Sequence, residues 1–349
     1  MMDEKSKGLD MAFAAEILLS IFVWYSSSAV ANTTSRKLLT QVPLPLLLTL
    51  SQFVTATIFG FVCLHVLKLK PVLDVPPAAR GNLMKLTIVY TLGFIFVNAG
   101  YVVVNVSLAE TLRSAEPLVT VMLAIFVLKT EPVSKFELWS MAPIVVGGAL
   151  SSLGDSSFSG LGLLFVCISN LSFSLRSMYA KKLKAEFGDA FNQFYRVSLM
   201  GTMFLVVLVV VLEVLMTMGE SFMAAMSDGG VASSAQKSYT LSSNMETIMT
   251  AEMFQLALLN GCTYVMYNQT SFYVLSRVRM VTHGVANAFR RVVTILFSVW
   301  YFGNHISTIN AFGISLAVAG VVFYAKAKDD AKSKADGKIK EDNVAMQAR

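Results

Sequence analysis

Ten runs of mostly apolar residues dominate this chain, each long enough to cross a bilayer as a single helix. A helix rises 1.5 Å per residue, so about 20 apolar residues traverse the roughly 30 Å hydrocarbon layer. The first five runs are Ala12–Asn32, Leu44–Leu67, Leu83–Ser107, Ala109–Leu128 and Phe136–Leu153. The second five are Gly160–Ala180, Phe191–Met218, Glu252–Ser276, Thr282–Phe302 and Ile306–Ala325. Turn-forming residues fall between them. Pro43 and Pro45 open the second run, Pro71, Pro76 and Pro77 follow it, and Asp155, Ser156, Ser157 and Gly160 part the fifth from the sixth. No Gly or Pro lies between Tyr101 and Glu116, so the turn between the third and fourth runs is set by length alone. Charged residues make up 14% of the 349 and hydrophobic ones 55%, where a soluble domain carries about 25% charged. The pattern predicts an all-α polytopic membrane protein with ten transmembrane helices in a lipid bilayer.

The basic residues test that count independently. With loops assigned alternately to two faces, 20 Lys and Arg fall on the face of the termini and only Arg36, Lys37 and Lys237 on the other. Positively charged loops stay on the cytosol-like side, so both termini are expected there. The net charge of +6 is thus a matter of topology, and no nucleic-acid partner is expected. An N-terminal tail (1–11) precedes a first five-helix unit (12–153). A second unit (160–325) carries a polar loop (219–250), and a charged tail (326–349) follows. An offset of 173 residues lays Pro132–Leu150 on His305–Phe323, matching Ser134 with Ser307, Trp139 with Phe312 and Gly147 with Gly320. Two five-span repeats with an odd number of spans each are inverted relative to one another, which places a solute site at the midplane between them.

Five basic residues lie within or at the ends of spans: Arg113, Arg176, Arg196, Arg290 and Arg291. Arginine at a helix centre costs about 2.5–3.5 kcal/mol on insertion scales, so its presence there calls for a reason. Arg290 and Arg291 sit about 12 Å into the ninth span at 1.5 Å per residue, and that span holds no acid. A water-filled anion site is expected around them. The alternative for these arginines is ion pairing with Glu110, Glu116 or Glu213; Arg113 can join the site, or pair with Glu116 one turn away. Arg176 can contribute, or begin the interfacial run that ends in Lys181 and Lys182. Arg196, near a helix start, is expected at the interface. A guanidinium offers phosphate a planar fork of donors and stays charged at any biological pH, so the cluster points to a doubly charged phosphate. An unoccupied cluster of like charges opposes the occluded state, so exchange is expected rather than one-way transport.

Other chemistry finds little support. Gly160-Leu-Gly162 is a helix-start turn, and no phosphate-binding loop with Lys is present. His65, His283 and His305 are scattered, and Cys63, Cys167 and Cys262 each sit in an apolar run. No enzyme activity, metal or cofactor is expected.

Two stretches are specific: Tyr267-Asn-Gln-Thr-Ser and Val281-Thr-His-Gly-Val-Ala-Asn-Ala-Phe-Arg-Arg-Val. With Arg176-Ser-Met-Tyr-Ala-Lys-Lys, Asn105-Val-Ser-Leu and Arg113-Ser-Ala-Glu-Pro, the chain resembles the plastid phosphate translocators, the triose-phosphate/phosphate translocator family of the drug/metabolite transporter superfamily. The resemblance implies a ten-helix inverted-repeat fold in a plastid envelope. It also implies strict exchange of inorganic phosphate for a phosphorylated organic solute such as triose phosphate, phosphoenolpyruvate or a sugar phosphate. The family's Lys-Arg phosphate pair corresponds to Arg290 and Arg291, its fourth-helix lysine to Arg113, its sixth-helix arginine to Arg176 and its eighth-helix tyrosine to Tyr267. A histidine and threonine that the resemblance associates with three-carbon substrates stand here as Tyr101 and Val104. The stretch from Asn105 to Glu116 is about seven residues shorter than the family pattern, close to two helical turns. Two other functions fit an apolar ten-span chain: a nucleotide-sugar carrier of the Golgi or endoplasmic reticulum with the same fold, and a non-transporting membrane scaffold.

Overall fold

The computed structural model describes residues 2–123, 139–187, 189–226, 241, 244–277, 280–303, 306–324 and 326–327. These form helices and connections, with no strand among the described residues. In chain order the helices are α1 (Met2–Gln41), α2 (Pro45–Phe61), α3 (Pro77–Val103), α4 (Val106–Arg113), α5 (Glu116–Leu123) and α6 (Ala142–Gly154). They continue with α7 (Gly160–Glu186), α8 (Ala190–Met226), the single turn α9 (Met245–Ile248), α10 (Ala251–Arg277), α11 (Met280–Phe302) and α12 (Thr308–Tyr324). Proline occupies the first turn of α2 and α3, where its missing N–H costs nothing. A π-helical turn, Val62–Val66, ends α2.

Every expected run has a helix beneath it. The undetermined third-to-fourth turn is two residues long, Val104 and Asn105. The fourth run is broken: Ser114 and Ala115 form a turn between α4 and α5, with the Ser114 N–H donating to the carbonyls of Glu110 and Thr111, both at 3.1 Å. The polar loop begins later than expected, since α8 continues through residues 219–226. The join of the fourth and fifth runs (124–138), most of that loop (227–240) and the tail beyond 327 lie outside the described residues.

Among the described residues, four helical stretches are long and apolar enough to cross a membrane: Pro45–Val66, Pro77–Val103, Gly160–Ala180 and Ala190–Met218. Helices α1, α10 and α11 are less apolar because they carry the polar groups that face one another inside. Ser28, Asn32, Thr34 and Ser35 of α1, Asn260 and Asn268 of α10, and Arg290 and Arg291 of α11 are all buried. The Asn260 amide donates to the Ala31 carbonyl at 2.8 Å and to the hydroxyls of Thr34 and Ser35, both at 2.9 Å. Gln52 donates to Asn260 at 2.9 Å, and Asn98 donates to Thr49 at 2.9 Å and Gln52 at 3.1 Å. A buried polar group without a partner costs about 1–3 kcal/mol, so such a chain of satisfied donors fixes how α1, α2, α3 and α10 meet.

Among the described residues of α1 to α11, the most extensive interfaces are α3 with α7 and α1 with α10, followed by α2 with α8. Phe53, Tyr90, Phe94, Phe173 and Tyr264 form the aromatic centre, with Phe94 edge-on to Phe173 at 5.3 Å and to Tyr264 at 5.0 Å. Apart from this, α6 and α12 cross antiparallel at close range. A Cβ on Gly147 would meet the Gly313 carbonyl and the Ala317 backbone, one on Gly320 the Ile144 backbone, and one on Gly313 the Ser151 backbone. Small residues at such a crossing let two helices approach backbone to backbone, the packing available where no water drives association. Ser151 and Asn310 hydrogen-bond across it at 2.7 Å.

At one end of the bundle, Asp189 caps α8 by accepting the Asn192 N–H at 2.9 Å. Lys70 lies 3.2 Å from the same carboxylate, and Arg196 donates to the Leu73 carbonyl at 3.1 Å. Arg196 thus ties down the connection between α2 and α3, as an interfacial arginine should, and takes no part in the cluster described next.

Candidate functional site

Helix α4 is only eight residues long, and all of them but Leu112 are buried. Residues three apart on a helix share a face, which puts Glu110 and Arg113 side by side. Their side chains form an ion pair in which an Arg113 Nη1–H donates to Glu110 Oε1. Tyr101, from the end of α3, donates its hydroxyl to the same oxygen at 2.8 Å. From α11, Arg291 lies 3.4 Å from the other oxygen of Glu110 and donates to Glu116 of α5 at 2.9 Å. Glu110 is completely buried and is the one buried acid among the described residues.

Adjacent residues on a helix diverge by about 100°, and the Arg290–Arg291 pair divides accordingly. Arg291 turns to α4 and α5. Arg290 turns to α1, where it donates to the Ser28 hydroxyl, while its Nε donates to Asn287 one turn earlier at 2.9 Å. Beside them the Tyr25 hydroxyl of α1 donates to the Ala286 carbonyl at 2.5 Å, which fixes α11 against α1. Tyr267 of α10 packs against the Trp24–Val274–Ala286 cluster and lies within electrostatic reach of Arg290, Arg113 and Arg176. Arg176 of α7 covers the Tyr90 ring with its guanidinium 4.7 Å from the centroid. Phe173 stands between two of the cations, 5.3 Å from Arg113 and 5.9 Å from Arg176. Cation–π contacts of this kind help to hold a charged arginine in apolar surroundings.

All six residues singled out in the sequence, Tyr101, Arg113, Arg176, Tyr267, Arg290 and Arg291, therefore converge. Two expectations about their partners need correction. The acid in direct ion-pair contact with Arg113 is Glu110, while the hydrogen bond at Glu116 comes from Arg291. Glu116, beyond the break at Ser114–Ala115, stays within electrostatic reach of Arg113. Nor is Arg291 free of acids for want of one on its own helix, since α4 and α5 supply two. Tyr101 faces the cluster through Glu110, with its hydroxyl committed to that carboxylate. Sequence reasoning weighed Glu110 only as one of several possible pairing acids. Its place at i−3 from Arg113, inside an apolar run, was the available signal.

Chemically, the arrangement is a cationic cluster partly neutralised from within. The Nε of Arg113 is buried and has no hydrogen-bond partner among the described residues. No group of metal-ligating side chains occurs among the described residues.

A family model described as the triose-phosphate transporter family matches residues 15–325. The chain belongs to the triose-phosphate transporter family. Among the relatives of this family member is the chloroplastic triose phosphate/phosphate translocator of Flaveria pringlei, 30% identical over 315 residues, 88% of this chain and 70% of that one. The corresponding translocator of Zea mays is 30% identical over 314 residues with the same coverage. The chloroplastic phosphoenolpyruvate/phosphate translocator 1 of Arabidopsis thaliana is 29% identical over 313 residues, 90% of this chain and 72% of that one. A solved crystal structure superposes with a TM-score of 0.52 at 13% identity, over 90% of this chain and 96% of that one, and so shares the fold.

Proposed function

We propose that this family member is an integral membrane antiporter that exchanges inorganic phosphate for a phosphorylated metabolite by alternating access. Its relatives are named for triose phosphate and phosphoenolpyruvate, which makes small organic phosphates the first substrates to consider and a plastid envelope the favoured membrane. The observation that carries the reading is the convergence of Arg113, Arg176, Arg290 and Arg291 from three separate helices around Tyr267. Guanidinium forks suit phosphate oxygens, and in a low-dielectric setting each such charge-assisted contact is strong. In this reading Arg291 and Arg290 grip the phosphate, Arg113 offers its unpartnered Nε, and Arg176 and Tyr267 line the opposite side.

The packing supports ten spans in two inverted repeats, 12–153 and 160–325. Taking α4 with α5 as one span and pairing each span with the fifth after it, the α3–α7 interface becomes α10–α1. Those two are the most extensive among the described residues of α1 to α11. The pairs α2–α8, α4–α11 and α6–α12 each map onto themselves, as pairs astride a two-fold axis in the membrane plane must. Gly147 and Gly320, matched by the sequence offset, perform the same close approach on either side of the α6–α12 crossing. The arginines then lie near the axis relating the halves, where rocking of one repeat against the other exposes a site to each face in turn.

The test is counter-exchange by the full chain in liposomes. Labelled phosphate should leave phosphate-loaded vesicles in exchange for a subset of external phosphorylated metabolites and not for nucleotide sugars. Exchange of nucleotide sugars but not of phosphate would transfer the chain to the nucleotide-sugar carriers.

A further inference from the structure

Helix α2 ends under strain. Its last turn is the π-helical stretch Val62–Val66, a form that concentrates at functional sites. The chain then reverses through Lys68, which at φ 50° is the one residue other than glycine in the left-handed region among those described. Across this reversal the Leu69 N–H donates to the Cys63 carbonyl at 2.9 Å. Glycine is the usual residue at such a helix end, because a Cβ is crowded in the left-handed conformation. Lysine therefore stores strain here, and its ammonium helps to line a cavity of about 310 Å³ together with Leu64, His65, Lys70, Pro71 and Val72. The cavity lies just past the apolar stretch Pro45–Val66, and Lys70 meets Asp189, immediately before the apolar stretch Ala190–Met218, at 3.2 Å. That is the level at which hydrocarbon gives way to lipid headgroups, on the face that carries the basic loops. Asp189 offsets part of the Lys70 charge, while no carboxylate pairs with Lys68 among the described residues. The Phe61 ring lies 4.7 Å from that of His65, and Phe61, Val66 and Leu67 are exposed.

We propose that this cavity binds the phosphate headgroup of an anionic phospholipid, held by His65, Lys68 and Lys70, with its acyl chains against Phe61 and Leu67. Two ammonium groups and a ring N–H beside an exposed apolar strip match a molecule with an anionic head and a hydrocarbon tail, and basic pockets at this level of a membrane suit such headgroups. The site is separate from the arginine cluster and does not depend on what the carrier transports. A bound headgroup ties Lys68, at the end of α2, to the Lys70–Asp189 link at the start of α8, and so braces the two helices where they enter the membrane.

The full chain, purified in neutral detergent, is titrated with phosphatidylglycerol or phosphatidylcholine, and the retained lipid is read by native mass spectrometry. Wild-type protein should hold one phosphatidylglycerol at least about fivefold more tightly than phosphatidylcholine, the scale of one basic residue near an anionic surface. Lys68→Gly should weaken that binding about fivefold, and adding Lys70→Gln should abolish the preference. Glycine suits the left-handed backbone, so Lys68→Gly should melt no lower than wild type in the absence of lipid, which separates lost binding from lost folding. Arg80→Gln removes an equal charge from an exposed position on the same face, outside the cavity, and should leave retention unchanged. Equal retention by wild type and Lys68→Gly overturns the proposal. So does an equal loss in Arg80→Gln, which would mean diffuse attraction to the whole face. Inorganic phosphate in excess should leave the lipid in place; displacement of the lipid would assign the cavity to a soluble phosphate and overturn the lipid site.

Discussion

The guanidinium of Arg291 lies 2.9 Å from the carboxylate of Glu116, joining the interior of α11 to the start of α5. Its other nitrogen faces Glu110 across the break between α4 and α5, so one side chain spans both segments of the fourth run. Arg290, its neighbour, is held by the neutral Ser28 and Asn287. The two arginines thus share a sequence motif and differ in what surrounds them.

That difference separates their variants. Arg290→Ala and Arg291→Ala should each lower phosphate exchange by at least about a hundredfold, because two charge-assisted hydrogen bonds of about 1.5–3 kcal/mol each are lost from the bound anion. Only Arg291→Ala should also destabilise the protein strongly, by about 3–5 kcal/mol, since it strips a buried carboxylate of a partner. Arg290→Ala leaves neutral groups behind, at about 1–3 kcal/mol. Exchange in liposomes and thermal unfolding in detergent, run on both variants, give the comparison. Equal losses of stability would contradict the assignment of partners. Lysine at either position should restore part of the exchange, since the charge survives and only the fork is lost.

The α6–α12 crossing should tolerate nothing larger than glycine at Gly147 or Gly313. Gly147→Val places branched carbon against the Ala317 backbone, which has no room to move without separating the helices. Overpacking of this kind costs about 1–3 kcal/mol, readable as a lower melting temperature. Gly81→Ala serves as the control, because nothing lies within 4 Å of its added Cβ.

Asp189 gives the fold a pH dependence at one end of the bundle. Burial pushes its pKa up, but the Asn192 side chain and N–H and the Lys70 ammonium together outweigh that, so its carboxyl titrates below the usual range. A carboxyl depressed in the folded state stabilises the fold above its unfolded pKa, and the contribution fades as the pH falls through the folded value. Asp189→Ala should therefore cost about 1 kcal/mol at neutral pH, the usual worth of such a cap. The gap between the melting curves of variant and wild type should narrow as the pH falls below the carboxylate range. A gap that stays constant would mean the loss is one of packing.

Topology can be checked without transport. Single cysteines placed in the 1–11 and 326–349 tails should react with an impermeant thiol reagent from the same side of sealed vesicles, and one in the 227–240 stretch from the other. The distribution of Lys and Arg, 20 against 3, requires that result. Labelling of a tail and the loop from one side would mean the span count is off by one.

Much of this was legible in the sequence because lipid imposes one rule: a spanning segment must be apolar for about 20 residues and satisfy its own backbone. That rule located every long helix, although α1 and α8 run about two turns past the expected bounds. The break at Ser114–Ala115 was not legible, since neither residue forces a turn and the carbonyls of Glu110 and Thr111 must be seen to accept the Ser114 N–H. The arginines stood out because charge in an apolar run is costly. Their partners did not, because Arg291 meets Glu110 and Glu116 across 181 and 175 residues of chain. Tyr101 was marked by its position, while its hydrogen bond to Glu110 depends on how α3 turns into α4.

Internal pairing also changes what is expected of coupling. Uncompensated cations would oppose closure of an empty carrier, and the ion pairs with Glu110 and Glu116 offset part of that repulsion. Each remaining pair of like charges adds about 2 kcal/mol at 8 Å with an effective dielectric near 20. The most direct measurement is the initial rate of labelled-phosphate uptake into liposomes that are either phosphate-loaded or empty. Loaded vesicles should take up phosphate at least about tenfold faster, the factor that 1.4 kcal/mol supplies. Equal rates in the two would contradict exchange as the working cycle of this carrier.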